Sequence, residues 1–578
     1  MHLPSCNSVD AGVGFRMTTF QNGWICIRVP HLVRVLGTIG MFFMFCSSSA
    51  WSQAGSDRLS CADLARLQIP ETTVAKAEEV QPMVFQFPSR TENPGGPNGA
   101  HGRPNGPGGS GVAKARGGGM NMSLAPFNPQ GTTNHVPFCR VAATLRPSGD
   151  SNIKIEVWLP LSGWNGKMMG AGDFGWAGSI MYGGLLLGLE GGYATVSTDT
   201  GHDNSLAMGA FALGHPDKMI DFGYRAAHNM TVIAKVLIKA FYGEPPKHAY
   251  WFGCSLGGQM GLTEIQRFSD DYDGAIIGAP ASPIVDLNAY QIWPSLLVSQ
   301  KPSRELGHAK AAMLQAAVMN TCDGLDGAND GEIEDPSACH FDPATLLCKD
   351  ADNDNCLTAA QVEFVQMLYR GPINSRTGKR MFEGAAPGTE ATFGYYSANG
   401  SPMGVATALF KYMVFQDPEW DWKTLNIDKD VPYGRAVLRT INIADNPNLK
   451  PFFDRGGKLL WYHGWMDGAS PLQSVKYMKA VEETVGAEQA QRSMRLFTMP
   501  GVGHCGGGTG CDTFDKLAEL DRWVESGNAP ERIVASKVQD GKVVRTHPLC
   551  AYPEVAKYKG TGDLNDAANF DCVTKPSR

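Results

Sequence analysis

Short apolar runs along the chain are separated by longer segments in which apolar residues recur every three to four positions. The short runs predict strands at 153–159, 193–197, 250–252 and 275–277 and, after a long gap, at 458–462 and 495–498. The longer segments predict helices at 225–241, 256–268 and 513–525. Strands that alternate with helices are typical of βαβ units, so the pattern predicts an α/β fold with a mainly parallel sheet.

The alternation stops between residues 287 and 446, where the chain is irregular and rich in cysteine, aspartate, glycine and aromatic residues. A long segment between strands of one sheet is typical of an insertion, and such insertions often form lids over active sites. The sequence therefore predicts an α/β domain in two parts, 55–286 and 447–578, with a lid domain at 287–446 between them. A Gly- and Pro-rich stretch at 93–119 cannot pack into a core and is predicted to be a flexible insertion.

The N-terminal residues have the pattern of a secretory signal. An apolar run at 35–46 follows basic residues and precedes small ones, and it is too short to span a membrane. Residues 1–54 are therefore predicted to be a leader, with initiation at Met17 left open. We expect the mature protein to be secreted or periplasmic and to lack a membrane anchor.

Cysteine usage agrees with export. Eleven of the fourteen cysteines follow the predicted leader. In an oxidising compartment such a set is more often bridged than free, although reduced cysteines in a cytosolic enzyme remain an alternative. Because eleven is odd, at least one thiol stays unpaired within a monomer. The absence of a Cys-x-x-Cys pair gives no support for a zinc ribbon or a redox motif.

Composition and charge narrow the function classes. Hydrophobic residues make up 43% and charged residues 19% of the 578 residues, which is ordinary for a globular protein. The net charge of −7, without a long basic run, leaves no electrostatic footprint for nucleic acid. Neither a nucleic-acid partner nor an organic cofactor is expected, and the oligomeric state is left open.

A candidate nucleophile lies in the pentapeptide Gly253-Cys254-Ser255-Leu256-Gly257. Gly-x-Ser-x-Gly occurs by chance in glycine-rich chains, but here it lies between a predicted strand and a predicted helix, as a nucleophile elbow requires. The glycines permit the sharp turn that leaves the Ser255 hydroxyl exposed. The backbone N–H of Leu256, at the start of the helix, is a candidate donor to an oxyanion.

Two strand-end loops supply a candidate acid and base. Asp467 follows the predicted strand at 458–462, and His504 follows the one at 495–498. The chain order Ser255, Asp467, His504 is the order of an α/β-hydrolase triad. An ordinary loop histidine is the alternative for His504. The predicted fold class is therefore an α/β-hydrolase fold with a large lid domain inserted between sheet strands.

Two cysteines flank this candidate triad. Cys254 directly precedes Ser255, and Cys505 directly follows His504. Hydrogen-bonded Ser and His side chains would bring these neighbours close to the Cα separation of about 5.5–6 Å that a disulfide needs. A Cys254–Cys505 bond is therefore predicted to join the nucleophile's loop to the base's loop.

A second oxyanion donor is expected from an earlier glycine-rich turn, because α/β-hydrolases take one donor from such a loop. Residues 169–175 (MGAGDFG) follow the apolar residues after Lys167 and are the best candidate. The N–H of Gly172 or of Asp173 would be the donor, with a plain glycine turn as the alternative.

The segment DGLDGANDGEI at 323–333, called here the acidic loop, combines carboxylates with glycines. Hard oxygen ligands at this density suit Ca²⁺, although the spacing is not that of an EF-hand. A solvated acidic turn is the alternative. Cys322 and Cys339 flank the loop, so a disulfide could close it.

Seven short motifs are shared with a known family: PFCRV around Cys139, EVWLP at 156–160, WNGK at 164–167, STDTGH at 197–202, DFGYRAAH ending at His228, FGCSLGGQ at 252–259 and GVGHC ending at Cys505. Through them the sequence, from about Phe138 to its C-terminus, resembles the tannase and feruloyl esterase family of secreted α/β-hydrolases. Family members usually have a glycine where this chain has Asp173, and the insertion at 93–119 is also unusual.

The resemblance implies a structural Ca²⁺ ion and a set of disulfides. Its calcium ligands would be the side chains of Asp323, Asp326 and Asp330 and the main-chain carbonyls of Ala328 and Glu332. Besides Cys254–Cys505, it implies the pairs Cys61–Cys139, Cys322–Cys339, Cys348–Cys356 and Cys550–Cys572, with Cys511 left free.

The family hydrolyses esters of aromatic acids, so the resemblance implies a carboxylic ester hydrolase with a small aromatic-acid ester as substrate. We expect a serine esterase that cleaves feruloyl or galloyl esters through an acyl-enzyme on Ser255. A mono-hydroxyethyl terephthalate hydrolase is the alternative within the family. A serine peptidase is disfavoured because no propeller-like repeat is visible, and an inactive binding protein because all three triad members are present.

Overall fold

The computed structural model describes residues 58–84, 132–203, 208–393, 401–441 and 444–575. The predicted leader at 1–54 and the predicted insertion at 93–119 lie outside the described residues. Within the described ranges, no helix is both long and apolar enough to cross a lipid bilayer.

Strands and helices alternate through much of the described chain. The strands are β1 Thr72–Val80, β2 Met83–Val84, β3 Thr133–Asn134, β4 Phe138–Leu145, β5 Ile153–Pro160, β6 Lys167–Ala171, β7 Ala194–Thr198, β8 His248–Cys254, β9 Gly274–Gly278, β10 Lys458–Gly464, β11 Met494–Met499, β12 Arg532–Gln539, β13 Lys542–Cys550, β14 Glu554–Tyr558 and β15 Phe570–Thr574. The α-helices are α1 Tyr182–Glu190, α2 Pro216–Ile220, α3 Ala226–Tyr242, α4 Leu256–Arg267, α5 Ile284–Gln300, α6 His308–Cys322, α7 Ala359–Arg370, α8 Gly404–Ala408, α9 Ile427–Leu438, α10 Lys450–Asp454, α11 Pro471–Val485, α12 Ala487–Ser493 and α13 Lys516–Ser526. Two π-helical segments, Asp221–Arg225 and Leu409–Val414, follow α2 and α8 directly.

Nine strands form the main sheet, in the order β1-β4-β5-β7-β6-β8-β9-β10-β11. The six strands from β7 to β11 are parallel, whereas β1, β4 and β5 make an antiparallel edge. All residues of β6, β7 and β9 are buried, as expected for parallel strands covered on both faces by helices. The predicted α/β class with a mainly parallel sheet is confirmed.

The strands and helices predicted from periodicity begin and end within a few residues of those in the structure. The helix predicted at 225–241 is α3, Ala226–Tyr242, and it ends where Gly243 adopts a φ of +82° and its N–H bonds the carbonyl of Lys239. That left-handed C-cap is a common helix stop. The strand predicted at 458–462 is β10, which extends to Gly464.

The segment predicted to be irregular between 287 and 446 instead contains α6, α7, α8, α9 and most of α5. The prediction of an irregular chain is wrong, and for α5 the reason is that this helix is buried on nearly all sides. A helix that contacts protein all round shows no apolar stripe with a 3.6-residue period. Helix α5 also crosses the predicted boundary at 286/287, and the domain boundaries themselves stay a prediction.

Ten cysteines are joined in five disulfides. The bonds are Cys61–Cys139, Cys254–Cys505, Cys322–Cys339, Cys348–Cys356 and Cys550–Cys572, and Cys511 is free and buried. Burial raises the pKa of the Cys511 thiol to about 12. A thiol with so high a pKa is a poor nucleophile, so Cys511 acts as a small apolar residue.

The carboxyl ends of β8, β10 and β11 lie along one edge of the sheet, because these strands are parallel and joined through β9. The residues that follow them are therefore brought together although they are far apart in sequence. Ser255, Asp467 and His504 all lie in these segments.

Candidate active site

Ser255 lies at the turn between β8 and α4, with φ 60° and ψ −122°. Its N–H donates to the carbonyl of Gly278 at 2.9 Å, which ties the turn to β9. A Cβ at Gly253 would lie 2.3 Å from the carbonyl oxygen of Gly257, and a Cβ at Gly257 would lie 2.6 Å from that of Asp173. Both glycines are thus required by close backbone contacts, and the strained serine backbone is that of a nucleophile elbow.

The three predicted triad residues form one continuous hydrogen-bonded chain. Ser255 Oγ lies 2.8 Å from His504 Nε2, and His504 Nδ1 lies 2.6 Å from Asp467 Oδ2. Because an ionised carboxylate only accepts, Nδ1–H of His504 donates to Asp467, and Nε2 is left to accept from the serine hydroxyl. This arrangement can move the hydroxyl proton to the imidazole as the oxygen attacks an electrophile.

Asp467 is held by more donors than the triad alone supplies. His463 Nε2 lies 2.9 Å from the same Oδ2 atom, and the N–H of Ala469 donates to Oδ1 at 2.8 Å. The Ser474 hydroxyl lies 2.7 Å from His463 Nδ1, so this nitrogen can accept while Nε2–H donates to Asp467. The sequence alone assigns His463 no catalytic role, because a triad base follows the acid in the chain order of this fold and His463 precedes Asp467. The sequence feature that could have indicated its contact with Asp467 is its position at the end of a predicted strand, four residues before the acid.

These contacts shift the pKa values of the acid and the base in opposite directions. Burial alone would raise the pKa of Asp467, but the charge of His504 and the hydrogen bonds from His463 and His504 hold it well below its usual range. Burial would lower the pKa of His504, but the charge and hydrogen bond of Asp467 raise it above 6.5. The pair therefore stabilises an imidazolium at the place where proton transfer from Ser255 would create one.

The Cys254–Cys505 disulfide joins the two loops that carry Ser255 and His504. Its Cα atoms are 5.9 Å apart, and its residues are separated by 251 positions in the chain. Each cysteine is the direct neighbour of a residue in the hydrogen-bonded chain. The bond therefore restrains the serine hydroxyl and the imidazole relative to each other.

The structure corrects one of the two predicted oxyanion donors. Leu256 is the first residue of α4, where backbone N–H groups have no partner within the helix, as expected. Gly172 N–H, however, donates to the carbonyl of Phe252 at 2.9 Å, which continues the β6–β8 hydrogen bonding. The prediction of Gly172 is therefore wrong, because its donor is already used. Asp173, the alternative, packs its backbone against Gly257 beside the elbow.

The acidic loop is folded around Asp323. The carboxylate of Asp323 accepts the backbone N–H groups of Asp330, Gly331 and Glu332 at 3.1–3.3 Å. The Arg545 guanidinium bonds the side chains of Asp330 and Glu332, with 2.9 Å to the Glu332 oxygen. One charged side chain from β13 thus fastens the loop to the C-terminal part of the protein.

The donors of the acidic loop fit the chemistry of Ca²⁺. Asp326 accepts only the N–H of Ala328 among the described hydrogen bonds, at 2.9 Å. Burial, with the nearby Glu334 and Asp330 carboxylates, raises the pKa of Asp326 to about 7. Carboxylates that are buried beside each other in this way favour a hard cation as their counter-charge. The carbonyls of Ala328 and Glu332 would complete an all-oxygen set.

The acidic loop is remote from the triad in sequence but close to it in space. A Cβ at Gly501 would lie 2.7 Å from Glu332 Oε1, so this carboxylate touches the segment that leads to His504. Glu332 and Gly501 also line a cavity of about 210 Å³ together with Trp465 and Met466, which precede Asp467. A change in the acidic loop can therefore reach both strand-end loops.

Comparison with known proteins agrees with this fold and geometry. A profile of the family "Tannase and feruloyl esterase" matches residues 139–573. The chain is 34% identical to an uncharacterized esterase of Xanthomonas campestris pv. campestris over 94% of this chain and 95% of that protein. It is 34% identical to feruloyl esterase C of Talaromyces stipitatus over 79% and 90% of the two chains. The crystal structure of feruloyl esterase B from Aspergillus oryzae superposes with a TM-score of 0.75 at 28% identity, covering 89% of this chain and 99% of that one.

The parallel sheet, the serine elbow and the strand-end acid and base define an α/β-hydrolase, and the predicted fold class is confirmed. The chain belongs to the tannase and feruloyl esterase family. It is a carboxylic ester hydrolase, as the sequence predicted.

Proposed function

We propose that the protein is a serine esterase that cleaves esters of aromatic, phenolic acids such as feruloyl or galloyl esters through an acyl-enzyme on Ser255. The observation that carries the proposal is the unbroken hydrogen-bonded chain from Ser255 through His504 to Asp467. The name of the Talaromyces stipitatus relative, a feruloyl esterase, supports the substrate class. An inactive binding protein on the same fold would have no need for this chain.

In the acylation step, Ser255 Oγ attacks the ester carbonyl carbon while its proton passes to His504 Nε2. The carbonyl becomes an oxyanion, which the N–H groups of Leu256 and Asp173 would stabilise. When the tetrahedral intermediate collapses, the carbon–oxygen bond to the alcohol breaks, and the leaving alkoxide takes the proton from His504. Asp467 keeps the imidazole in the required orientation and stabilises its charged form.

Deacylation repeats these steps with water. His504 Nε2 takes a proton from the water as its oxygen attacks the acyl carbon, and the same N–H groups stabilise the second oxyanion. Collapse of this intermediate breaks the bond to Ser255 Oγ, which regains its proton from His504. The aromatic acid leaves, and the enzyme returns to its starting state.

Replacing the nucleophile tests this mechanism most directly. Ser255→Ala should reduce the release of p-nitrophenol from a short acyl ester by about 10⁴-fold or more, because the three triad residues act as a unit. A matched control is Ser526→Ala at the exposed end of α13, which should keep wild-type turnover. Equal rates for Ser255→Ala and the wild type would refute the serine-esterase proposal.

The substrate class requires its own measurement. We expect kcat/KM for methyl ferulate or methyl gallate to exceed that for mono-hydroxyethyl terephthalate. Ser255→Ala provides the background for each ester. A clear preference for the terephthalate monoester would place the protein in the alternative branch while leaving the serine mechanism intact.

We further propose that the protein is exported and that the acidic loop binds a structural Ca²⁺ ion. Five disulfides support export, because such bonds persist in oxidising compartments. Asp323, Asp326 and Asp330 would supply carboxylates and Ala328 and Glu332 carbonyls to the ion, which would hold the loop without taking part in the reaction. Fractionation of cells that express the full chain tests the first proposal, since a purely cytoplasmic, reduced product would contradict it.

A further inference from the structure

A second group of titratable side chains lies at the end of the sheet opposite the triad. Asp271 precedes β9, so it lies at the amino ends of the parallel strands, whereas the triad follows their carboxyl ends. His228 belongs to α3, and Glu264 lies in the last turns of α4, which runs back from Ser255. The esterase mechanism uses none of these three residues.

Side-chain atoms of His228, Glu264 and Asp271 that can bind a metal all lie within 4.8 Å of one another. His228 Nδ1 is 2.6 Å from Asp271 Oδ2. The imidazole also stacks on the ring of Phe268, with 3.8 Å between centroids, which fixes its plane. Three residues from three different segments thus point their donor atoms at one place.

Glu264 provides an independent indication that something is bound there. Its side chain is completely buried, and no N–H or hydroxyl group of the described residues donates to either carboxylate oxygen, so its hydrogen-bonding neighbour is the Asp271 carboxyl group. Burial and the neighbouring Asp271 carboxylate raise the pKa of Glu264 well above 4.5. Buried carboxylates without a donor are costly, so this one requires either a proton or a cation.

The nearest ammonium group does not balance both carboxylates. Lys235 Nζ is 4.0 Å from Asp271 Oδ1 and bonds the main-chain carbonyls of Asp271 and Asp270 at 2.6 and 3.3 Å. Lys235 and Arg267 favour the ionised form of Glu264 through their charges, but neither donates a hydrogen bond to its carboxylate. A divalent cation at the convergence of the three side chains would provide the direct contact that these two residues do not make.

We propose that His228, Glu264 and Asp271 bind one divalent transition-metal ion, of which Zn²⁺ is the best match. One imidazole nitrogen with two carboxylate oxygens is a ligand set that Zn²⁺ accepts at about 2.0–2.2 Å, which separates tetrahedral ligands by roughly 3.3 Å. His228 and Asp271 would then move apart by less than about 1 Å from their present contact. The ion would tie α3, α4 and the β9 approach together, and its fourth position would take a water, because the His228 side chain is 31% exposed.

Metal binding to the full chain tests this proposal, with Zn²⁺ and Co²⁺ as probes and saturating Ca²⁺ present so that the acidic loop is occupied. Equilibrium dialysis and elemental analysis should give one Zn²⁺ per chain. Bound Co²⁺ should show visible absorption of a low-symmetry, nitrogen- and oxygen-ligated ion. Glu264→Gln keeps the shape of the side chain and should weaken Zn²⁺ binding by about 100-fold or more. Even the loss of a residue that only hydrogen-bonds a metal ligand lowers metal affinity by about 10–100-fold.

A matched control is available in His215, which forms a similar histidine–aspartate contact with Asp150 at 2.9 Å but belongs to no three-ligand group among the described residues. His215→Asn should bind Zn²⁺ as the wild type does, and His228→Asn should lose binding as Glu264→Gln does. Wild-type protein that binds no Zn²⁺, or Glu264→Gln that binds it equally well, would overturn the proposal. A proton shared between the Glu264 and Asp271 carboxyl groups would then explain how these buried groups are stabilised. Esterase activity does not enter this test, so its outcome is independent of the proposed function.

Discussion

Asp467 and the acidic loop both place carboxylates in buried positions, but their charges are balanced in different ways. Asp467 accepts hydrogen bonds from His504, His463 and the N–H of Ala469, and its pKa lies well below the usual range. In the acidic loop, Asp326 faces other carboxylates, and burial raises its pKa to about 7. Asp467 is balanced by donors within the chain, whereas we propose that a bound Ca²⁺ supplies part of the counter-charge of the acidic loop.

This difference in charge balance determines where a bound ion can change the protein. A carboxylate with donors on both oxygens is oriented and ionised before any substrate arrives, which is the preorganisation that acyl transfer requires. If a cation joins the carboxylates of the acidic loop, as we propose, the loop is more stable when that cation is present. Substitutions at Asp467 should therefore affect turnover, and changes in the acidic loop should affect stability.

The largest effect is expected from Asp467→Asn, which removes the charge but keeps the shape. The amide cannot stabilise the imidazolium and favours the wrong tautomer of His504, so kcat, measured below the variant's own melting temperature, should fall by roughly 10⁴-fold. Asp515→Asn, at the N-cap of α13, is a control that should keep full turnover. Near-normal turnover of Asp467→Asn would mean that another group orients His504.

The next largest effect is expected from replacing Cys254 and Cys505 together by alanine. The disulfide restrains Ser255 relative to His504, and a misplacement of about 1 Å in such a pair can cost about 100-fold in rate. The double variant should also unfold more easily, because the bond closes a loop with a sequence separation of 251. Turnover should be measured below the variant's own melting temperature.

The control for this pair is the Cys348–Cys356 bond, which closes a short loop with a separation of 8 in the segment between β9 and β10. Replacing both of these cysteines by alanine should leave kcat nearly unchanged. Full activity of the Cys254/Cys505 double variant would show that its bond serves stability alone.

The part of the site that could be predicted from the sequence is the part that depends on local sequence patterns and chain order. Ser255, Asp467 and His504 could be assigned because each follows a recognisable strand, and parallel strands bring their carboxyl ends together. The strand before each residue and the order of the three residues in the chain were enough to predict them, without knowledge of any side-chain contact. The structure places these three residues in one hydrogen-bonded chain, as the sequence predicted.

What could not be predicted depends on contacts between distant segments. The N–H of Gly172 is used by the carbonyl of Phe252, and a glycine-rich turn carries no sign of that partner. His463 lies before the acid and looks like a core residue until its contact with Asp467 is seen. Helix α5 was missed because burial on all sides removes the period by which helices are recognised.

His463 offers a way to weaken the Asp467 region without removing its charge. In His463→Leu, Oδ2 of Asp467 loses one of its two imidazole donors, and a lost hydrogen bond to a charged group costs about 1.5–3 kcal/mol. If roughly half of that loss is expressed in the transition state, kcat falls by about 4- to 13-fold. His463→Gln keeps an N–H donor in a similar place and should recover much of the rate.

The pH profile separates this positioning role from a merely structural one. With fewer donors, Asp467 interacts more strongly with protonated His504 and raises its pKa further. Since His504 must be neutral to accept the serine proton, the acid limb of kcat/KM should move to higher pH in His463→Leu and less so in His463→Gln. An unshifted acid limb, with only a lower melting temperature, would show that His463 supports packing alone.

The smallest effect on turnover is expected from removing calcium, which tests the proposed ion site in the acidic loop. A ligand present at about 100 times its Kd contributes about 2.7 kcal/mol of stability, so a chelator should lower the melting temperature by several degrees. Adding back Ca²⁺ should restore it. Asp326→Asn should abolish the response, while Asp354→Asn, in the loop closed by Cys348 and Cys356, should keep it.

Turnover should respond less than stability because the acidic loop reaches the triad indirectly, through the backbone near His504 and the cavity that Trp465 and Met466 also line. Glu332 Oε1 abuts Gly501, so a loosened loop should first raise KM and leave kcat within about twofold at temperatures well below the melting point. If the chelator leaves the melting curve unchanged and elemental analysis finds no calcium, then the Arg545 guanidinium balances the acidic loop, and both regions are balanced within the chain. If kcat falls as steeply as stability, the acidic loop belongs to the preorganised site, and its carboxylates position His504 as directly as Asp467 does.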